Sequence, residues 1–143
     1  YEERTLHDSS LSKSTHSVVA NDMGLHDVAY RFFQGASTVD LGTEMHSSDA
    51  GIHSASMGGI WQAAILGFGG VRIVGEQLRI TPSLPEAWKS LEFNIVWHGQ
   101  TLHVSVNESG VKVTNCGHAP VVFLLGSEPV TLCSGDTVNH DCF

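Results

Sequence analysis

The sequence has few charged residues, and positive charges are the scarcest. Asp, Glu, Lys and Arg make up 15% of its 143 residues, against roughly 25% in an average soluble domain. Lys and Arg number 7 against 15 Asp and Glu, so the formal net charge is −8. Nucleic-acid backbones are bound by clustered Lys and Arg, and this balance argues against such a partner. The low charge density also predicts that much of the surface packs against the rest of a longer parent chain.

Cysteines and long apolar runs are scarce as well. The sequence has an odd number of cysteines and no CxxC motif; the three are Cys116, Cys133 and Cys142. This usage favours a reducing, cytoplasmic setting. There is no run of 18 or more apolar residues, so we expect no membrane-spanning helix.

Two sequence patterns meet at the glycine-rich stretch Gly67–Gly70. Residues 1–70 place apolar side chains at helical spacing, and residues 71–143 alternate apolar with polar ones. Each half has only about 70 residues, a size at which a separate core is marginal. Together with a first residue, Tyr1, that is not Met, this predicts a piece of a longer protein.

The helical half predicts three helices. Asp8-Ser9-Ser10 can cap the first, and Gly24 can end it. Residues 25–36 carry a broad apolar stripe typical of the second. The third is expected from Ser48 or Asp49 to about Leu66, with apolar or small residues nearly all round and therefore buried.

The second half predicts an antiparallel sheet or sandwich. We expect hairpins at 98–100 and 107–110, on either side of a strand that contains Leu102, Val104 and Val106. The row formed by Leu91, Phe93, Ile95 and Trp97 should be buried. Further short strands are expected at 71–74, 77–81, 111–115, 120–125 and 129–133.

The stretch from Met45 to Gly59 is the richest in side chains that carry chemistry. A helix start favours an anion because its N–H groups lack partners and its dipole is positive there. His53, Ser54 and Ser56 would add an imidazole and two hydroxyls, which together suit a phosphate. Gly58 and Gly59 cost helix stability, which suggests a close approach to the backbone. Close helix packing, with His53 as a satisfied core residue, explains the same pattern.

His7 opens a second candidate, the stretch from His7 to Ser12. It reads either as a capped helix start or as one wall of a substrate pocket that includes His7. Neither His46 nor His53 has the HExxH or carboxylate spacing of a metal site, so no metal is expected. No GxSxG or phosphate-loop motif occurs.

These stretches carry a family resemblance. The segments 7–12, 49–62, 67–72 and 84–93 resemble glycoside hydrolase family 65, which includes phosphorylases of maltose, trehalose, kojibiose and nigerose. The resemblance implies an α+β fragment. Residues 1–70 would be the last helices of an (α/α)6 barrel, and residues 71–143 a small C-terminal β domain. The segment 45–49 is more similar to the kojibiose and nigerose members than to the others.

The resemblance also implies an activity. Inverting phosphorolysis of an α-glucosyl disaccharide would give β-glucose 1-phosphate and a free sugar, with inorganic phosphate as co-substrate and no other cofactor. It assigns the phosphate contacts to His53, Ser54 and Ser56, and it implies a homodimer of the full-length enzyme. The family's general-acid Glu lies upstream of these segments, so no catalytic residue is assigned here and the chain alone is predicted to be inactive.

Two other functions remain open. A hydrolase of the same family would carry a carboxylate that activates water in place of the phosphate-binding turn, and the sequence 53–56 contains none. A stand-alone sugar-binding or structural β module would instead present an exposed aromatic platform.

Overall fold

The computed structural model describes residue 9 and residues 11–41 and 51–141. The chain divides into two compact units, one ending at Gly67 and the other beginning at Phe68. The first unit is helical and the second is built from β-strands. No helix in the described part is long and apolar enough to cross a membrane.

The helical unit consists of α1 (Ser12–Asp22), α2 (His26–Ser37) and α3 (Ser54–Gln62). The apolar stripe predicted for α2 is partly buried, and Ala29 and Ala36 on it are fully buried. These small side chains allow α1 close to α2, where the buried Ser17 hydroxyl donates a hydrogen bond to the Ala29 carbonyl oxygen at 2.8 Å. A buried hydroxyl needs such a partner, so this bond keeps α1 and α2 in register.

Both ends of α1 follow from local chemistry. At the start, the capping residue is Leu11, which makes no side-chain cap hydrogen bond, so the prediction that Ser9 caps the helix is wrong. The Ser9 hydroxyl instead accepts a local hydrogen bond from the Leu11 N–H at 3.3 Å, and Asp8 and Ser10 lie outside the described residues. At the end, Gly24 has φ +72, as predicted for a glycine cap. Its N–H bonds to Asn21 and the next N–H bonds to Ala20, which is the Schellman arrangement.

The third helix differs from its prediction in three ways. It begins at Ser54 rather than near Ser48 or Asp49, because Gly51 has φ +124, a conformation incompatible with a helix. Its α-helical part ends at Gln62, and Ala63–Phe68 continue as a π-helix. It is also not buried all round in this chain: Ile52 just before it and Met57 and Trp61 within it are exposed.

The β unit has eight strands in the described part. Their bounds are β1 Val71–Val74, β2 Gln77–Ile80, β3 Ser90–Trp97, β4 Gln100–Asn107, β5 Gly110–Asn115, β6 Val121–Leu125, β7 Glu128–Leu132 and β8 Thr137–Asp141. They form two four-stranded sheets, ordered β1-β2-β6-β7 and β3-β4-β5-β8. All pairings are antiparallel except that of β2 with β6. The sequence did not predict β8, whose residues are mostly polar.

The predicted hairpins are confirmed. Only His98 and Gly99 connect β3 to β4, and both have positive φ, 47 and 77. Positive φ at both central residues is the arrangement that matches the twist of paired strands. The connection from β4 to β5 is supported by the Asn107 side chain, which accepts a hydrogen bond from the Ser109 N–H at 2.8 Å.

Alternate residues of both sheets form the buried core of this unit, as expected for a sandwich. The buried members are Val71, Leu78, Ile80, Leu102, Val104, Val106, Val111, Val113, Val121, Phe123, Leu125 and Leu132. The predicted apolar row of β3 is only half-buried, because β3 is an edge strand with a neighbour on one side. The buried Asn115 side chain links β5 to β7 by donating to the Leu132 carbonyl oxygen at 3.0 Å.

Gly70 stands at the start of the β unit, in the stretch predicted as the junction. Its φ is +64, and its carbonyl oxygen accepts a hydrogen bond from the Thr81 N–H at 3.1 Å. A Cβ at this position would collide with the backbone carbonyl of Thr81. Backbone atoms cannot rotate away as a flexible side chain can, so only glycine fits here.

We expect Gly70→Ala to destabilise the β unit strongly. The left-handed conformation alone costs an alanine about 1–2 kcal/mol, and the collision with Thr81 adds about 1–3 kcal/mol of overpacking. Gly75 is the matched control, because it has φ +63 but open space around its Cβ position. Urea unfolding should therefore show a clearly larger loss for Gly70→Ala than for Gly75→Ala, and equal losses would contradict the close approach.

Candidate functional site around His53

The start of α3 is held by a carboxylate from outside the helix. His53 is the residue that precedes α3, and Asp40 lies just after the end of α2, in a turn that follows Ser37. The Asp40 carboxylate accepts a hydrogen bond from Nδ1 of His53 at 2.6 Å. It also accepts the His53 backbone N–H, at 3.1 Å to Oδ2 and 3.3 Å to Oδ1. One side chain thus fixes both the ring and the backbone of His53.

The two members of this pair differ in exposure. The side chain of Asp40 is 9% exposed, whereas that of His53 is 35% exposed. The hydrogen bond from the His53 ring is the main cause that lowers the pKa of Asp40 below 3.8, and the backbone hydrogen bond and the charge of a protonated ring act in the same direction. Partial burial of the carboxylate opposes these effects. Asp40 is therefore a carboxylate at neutral pH, with the imidazole on its solvent side.

Few N–H groups remain free at this helix start. The Ser54 N–H bonds to the Ile52 carbonyl oxygen at 3.0 Å, and the N–H groups of Ser56 and Met57 both bond to the carbonyl oxygen of His53, at 2.8 and 3.2 Å. The sequence suggested a backbone cradle for an anion. In the structure these three N–H groups already have carbonyl partners and do not form such a cradle.

The three residues predicted to bind phosphate are near one another in the chain but differ in accessibility. Ser54 is exposed and His53 is partly exposed. Ser56 is only 1% exposed, so an anion would have to enter the packed part of the unit to reach its hydroxyl. His7, the predicted pocket residue, lies outside the described residues, as do His46 and the whole segment 42–50.

The two glycines of α3 have different environments. Gly59 is buried, and a Cβ there would meet the Ser14 side chain of α1. Gly58 has open space around its Cβ position. Close packing of α1 on α3 therefore explains Gly59, one of the two readings that the sequence left open.

No group of three or more His, Cys, Asp or Glu side chains in the described part is arranged to hold a metal ion. Asp40 and His53 form an ion pair when the imidazole is protonated. Its chemistry is that of an imidazole whose tautomer and position are set by a carboxylate, as in the catalytic triads of serine hydrolases.

Comparison with known protein families gives two adjoining matches. Residues 1–62 match the central catalytic domain of glycosyl hydrolase family 65, and residues 71–132 match the C-terminal domain of the same family. The chain belongs to glycosyl hydrolase family 65. The family resemblance read from the sequence is thus confirmed, and the α3 start with His53 lies within the match to the catalytic domain.

Family 65 members similar to the chain include several phosphorylases. Kojibiose phosphorylase of Halothermothrix orenii is 50% identical over 80% of this chain, and α,α-trehalose phosphorylase of Thermoanaerobacter brockii is 37% identical over 92% of it. A solved structure from the human microbiome, provisionally assigned as a kojibiose phosphorylase, superposes with a TM-score of 0.87 at 31% identity over 98% of the chain. The chain spans 15%, 16% and 19% of the lengths of these three relatives, respectively.

Sequence reasoning missed Asp40. It stands 13 residues before His53, in the turn after α2, where a polar residue ordinarily indicates a surface loop. Its pairing with His53 is a contact between residues 13 positions apart, and no local spacing rule encodes such a contact. The sequence offers one signal for Asp40: the stretch from His26 to Leu41 contains just two carboxylates, Asp27 and Asp40.

We expect the Asp40–His53 pair to stabilise the fold at neutral pH and to lose this effect in acid. A carboxylate whose pKa is lowered by folding stabilises the folded state above its unfolded pKa, and the stabilisation disappears as the pH falls through the lowered value. The stability difference between wild type and Asp40→Asn should therefore shrink below about pH 4. An NMR titration of the Asp40 carboxyl carbon with a midpoint at or above 3.8 would contradict this.

Proposed function

We propose that this chain is part of an inverting α-glucoside phosphorylase, which cleaves an α-glucosyl disaccharide with inorganic phosphate to give β-glucose 1-phosphate and a free sugar. The names of the relatives support this function, since kojibiose and trehalose phosphorylases are among them. The observation that carries the proposal in this chain is the partly exposed His53 ring, held by Asp40 beside the exposed Ser54.

His53 and Ser54 are the proposed main phosphate contacts. With Nδ1 bonded to Asp40, the other ring nitrogen of His53 remains to meet a phosphate oxygen. The Ser54 hydroxyl can donate a second hydrogen bond, and the positive end of the α3 dipole favours the anion. Ser56 remains part of the proposed site as a buried neighbour one turn further into the helix.

The proposed reaction needs an acid as well as phosphate. The acid protonates the glycosidic oxygen as it leaves, while a phosphate oxygen attacks the anomeric carbon from the opposite face. The described part of the helical unit contains no glutamate, and Glu2, Glu3 and Glu44 lie outside the described residues. We propose that the acid belongs to another part of the full-length enzyme and that the 143 residues alone are inactive.

Kojibiose is the proposed disaccharide. The sequence 45–49 resembles the kojibiose and nigerose members, and two of the relatives described above carry kojibiose phosphorylase names. We further propose that the full-length enzyme is a homodimer and that it is cytoplasmic. It would use inorganic phosphate as co-substrate and need no cofactor.

A hydrolase is the second candidate, and one observation favours it. An imidazole oriented by a carboxylate can act as a base toward water, as in the serine-protease triad, where it acts toward a hydroxyl. The Asp40 carboxylate itself is unsuited to that role, because it is 9% exposed and its oxygens already accept hydrogen bonds from His53. Of this pair, His53 is the member that could serve as such a base, so the two functions differ in what the ring contacts, phosphate or water.

A sugar-binding β module has less support. The exposed large apolar side chains in the described β unit are aliphatic, namely Ile73, Val74, Val96 and Val122. The half-buried Trp88 packs edge-on against the ring of Phe68, with centroids 5.0 Å apart. Phe93 and Trp97 on β3 are likewise half-buried, and Trp97 packs edge-on against the ring of His98, with centroids 4.3 Å apart. No Phe, Tyr or Trp in the described part of this unit is fully exposed in the way that a platform for stacking a sugar ring requires.

We expect His53→Ala in the full-length enzyme to raise the KM for phosphate at least about tenfold. Removing a hydrogen bond to a charged group costs about 1.5–3 kcal/mol, and 1.4 kcal/mol corresponds to a factor of ten. The KM for the disaccharide should change little. His118→Ala is the control, because His118 is exposed in the β unit. Phosphate kinetics that match the wild type in His53→Ala would remove His53 from the site.

The phosphorylase and hydrolase functions predict different products. In phosphate-free buffer the full-length enzyme should release almost no glucose from kojibiose, and added phosphate should restore cleavage with formation of glucose 1-phosphate. Sugar release can be followed by chromatography and the phosphorylated product by ³¹P NMR. Equal rates of cleavage with and without phosphate would establish the hydrolase instead.

A further inference from the structure

Asp40 touches His53 in a way that determines where the ring proton lies. A carboxylate only accepts hydrogen bonds, so the 2.6 Å contact requires the proton of His53 to be on Nδ1. Nε2 then carries a lone pair when the ring is neutral and a proton when it is charged. The same carboxylate also accepts the backbone N–H of His53, so Asp40 positions both the ring and the backbone to which the ring is attached.

The two side chains of the pair differ in solvent exposure. Asp40 is 9% exposed and His53 is 35% exposed, so the imidazole is the accessible member and the carboxylate lies behind it. A carboxylate in direct contact with phosphate would repel it. Any contribution of Asp40 to phosphate binding must therefore pass through His53.

We propose that Asp40 is the positioning residue of the phosphate site: it fixes the ring of His53 with the proton on Nδ1, so that Nε2 is the atom presented to phosphate. This inference rests on the proposed function and adds to it a residue that does not touch the substrate. An orienting partner of this kind commonly changes ligand affinity by roughly ten- to a hundredfold when it is removed, as known for histidines that bind metals.

Charge and positioning predict opposite effects, which makes the proposal testable. If the charge of Asp40 acted on phosphate directly, its removal would tighten phosphate binding, because a nearby negative charge disappears. If Asp40 acts by positioning His53, its removal weakens phosphate binding. Asp40→Asn distinguishes the charge effect from the positioning effect further, because its amide oxygen can still accept one of the two hydrogen bonds from His53 without carrying a charge.

The experiment uses the full-length enzyme with Asp40→Ala, Asp40→Asn and His53→Ala, together with the double variant Asp40→Ala/His53→Ala. We expect Asp40→Ala to raise the KM for phosphate about ten- to a hundredfold and to leave the KM for the disaccharide unchanged. Asp40→Asn should recover part of the loss. The double variant should be no worse than His53→Ala, since residues that act through one contact are not additive. Asp27→Asn is the control, because Asp27 is exposed in the first turn of α2.

A second readout follows the ring itself. ¹⁵N NMR of the imidazole should show a proton fixed on Nδ1 of His53 in the wild type and in Asp27→Asn, and a mixture of tautomers in a folded Asp40→Ala protein. A KM for phosphate that is lower in Asp40→Ala than in the wild type would overturn the proposal. So would a KM for phosphate that is unchanged in Asp40→Ala while it is raised in His53→Ala. An unchanged phosphate KM in His53→Ala itself overturns the phosphate role of the ring, and with it the purpose assigned to Asp40.

Discussion

The hydrogen bonds that Asp40 accepts from His53 determine how the chain enters α3. Without them, the N–H of a residue placed before a helix would need another partner, since a helix start leaves its first N–H groups unpaired. Here the carboxylate at the end of α2 takes that N–H and also the ring N–H of the same residue. The turn after α2 and the residue before α3 are thereby joined by hydrogen bonds to one carboxylate, and the orientation of the partly exposed imidazole at the start of α3 follows from them.

This contact changes the kind of anion site that the start of α3 can form. A glycine-rich loop before a helix ordinarily binds phosphate through backbone N–H groups. In this chain the Ile52 and His53 carbonyl oxygens already occupy the N–H groups of Ser54, Ser56 and Met57. The site proposed above therefore uses an imidazole and a hydroxyl, and a single substitution can remove a side chain but not a backbone donor. The proposed site therefore depends more on the partner of His53 than on the helix itself.

Elements whose structure depends on neighbouring residues could be predicted, and those set by distant contacts could not. The stripe of α2 and the alternation of β4 and β5 are local patterns, and both elements formed where they were expected. The glycine cap after α1 and the His98-Gly99 turn are likewise local. The strand β8 was missed because its residues are mostly polar and it forms an edge, so no apolar alternation marks it. The start of α3 was misplaced because the φ of Gly51 cannot be read from glycine alone.

The candidate site shows the same division. The types of residue at 53, 54 and 56 could be chosen from the sequence because they lie within one turn of each other. Their exposures could not, since the burial of Ser56 and the close approach at Gly59 both depend on α1 packing against α3. Asp40 could not be found at all, because its contact with His53 spans 13 residues and no local pattern marks it.

Under the proposed function, the geometry of this pair also bears on the protonation of the bound phosphate. With the proton of Nδ1 held by Asp40, a neutral ring can accept a hydrogen bond at Nε2 from a protonated phosphate oxygen, and a charged ring can donate one to an unprotonated oxygen. Both arrangements contain the same number of protons, shared between ring and phosphate. The pair can thus keep contact with phosphate in either protonation state, whereas a ring free to exchange its tautomers would present a mixture of donor and acceptor. A fixed tautomer gives a nucleophilic phosphate one defined orientation, which an attack from a single face of the sugar requires.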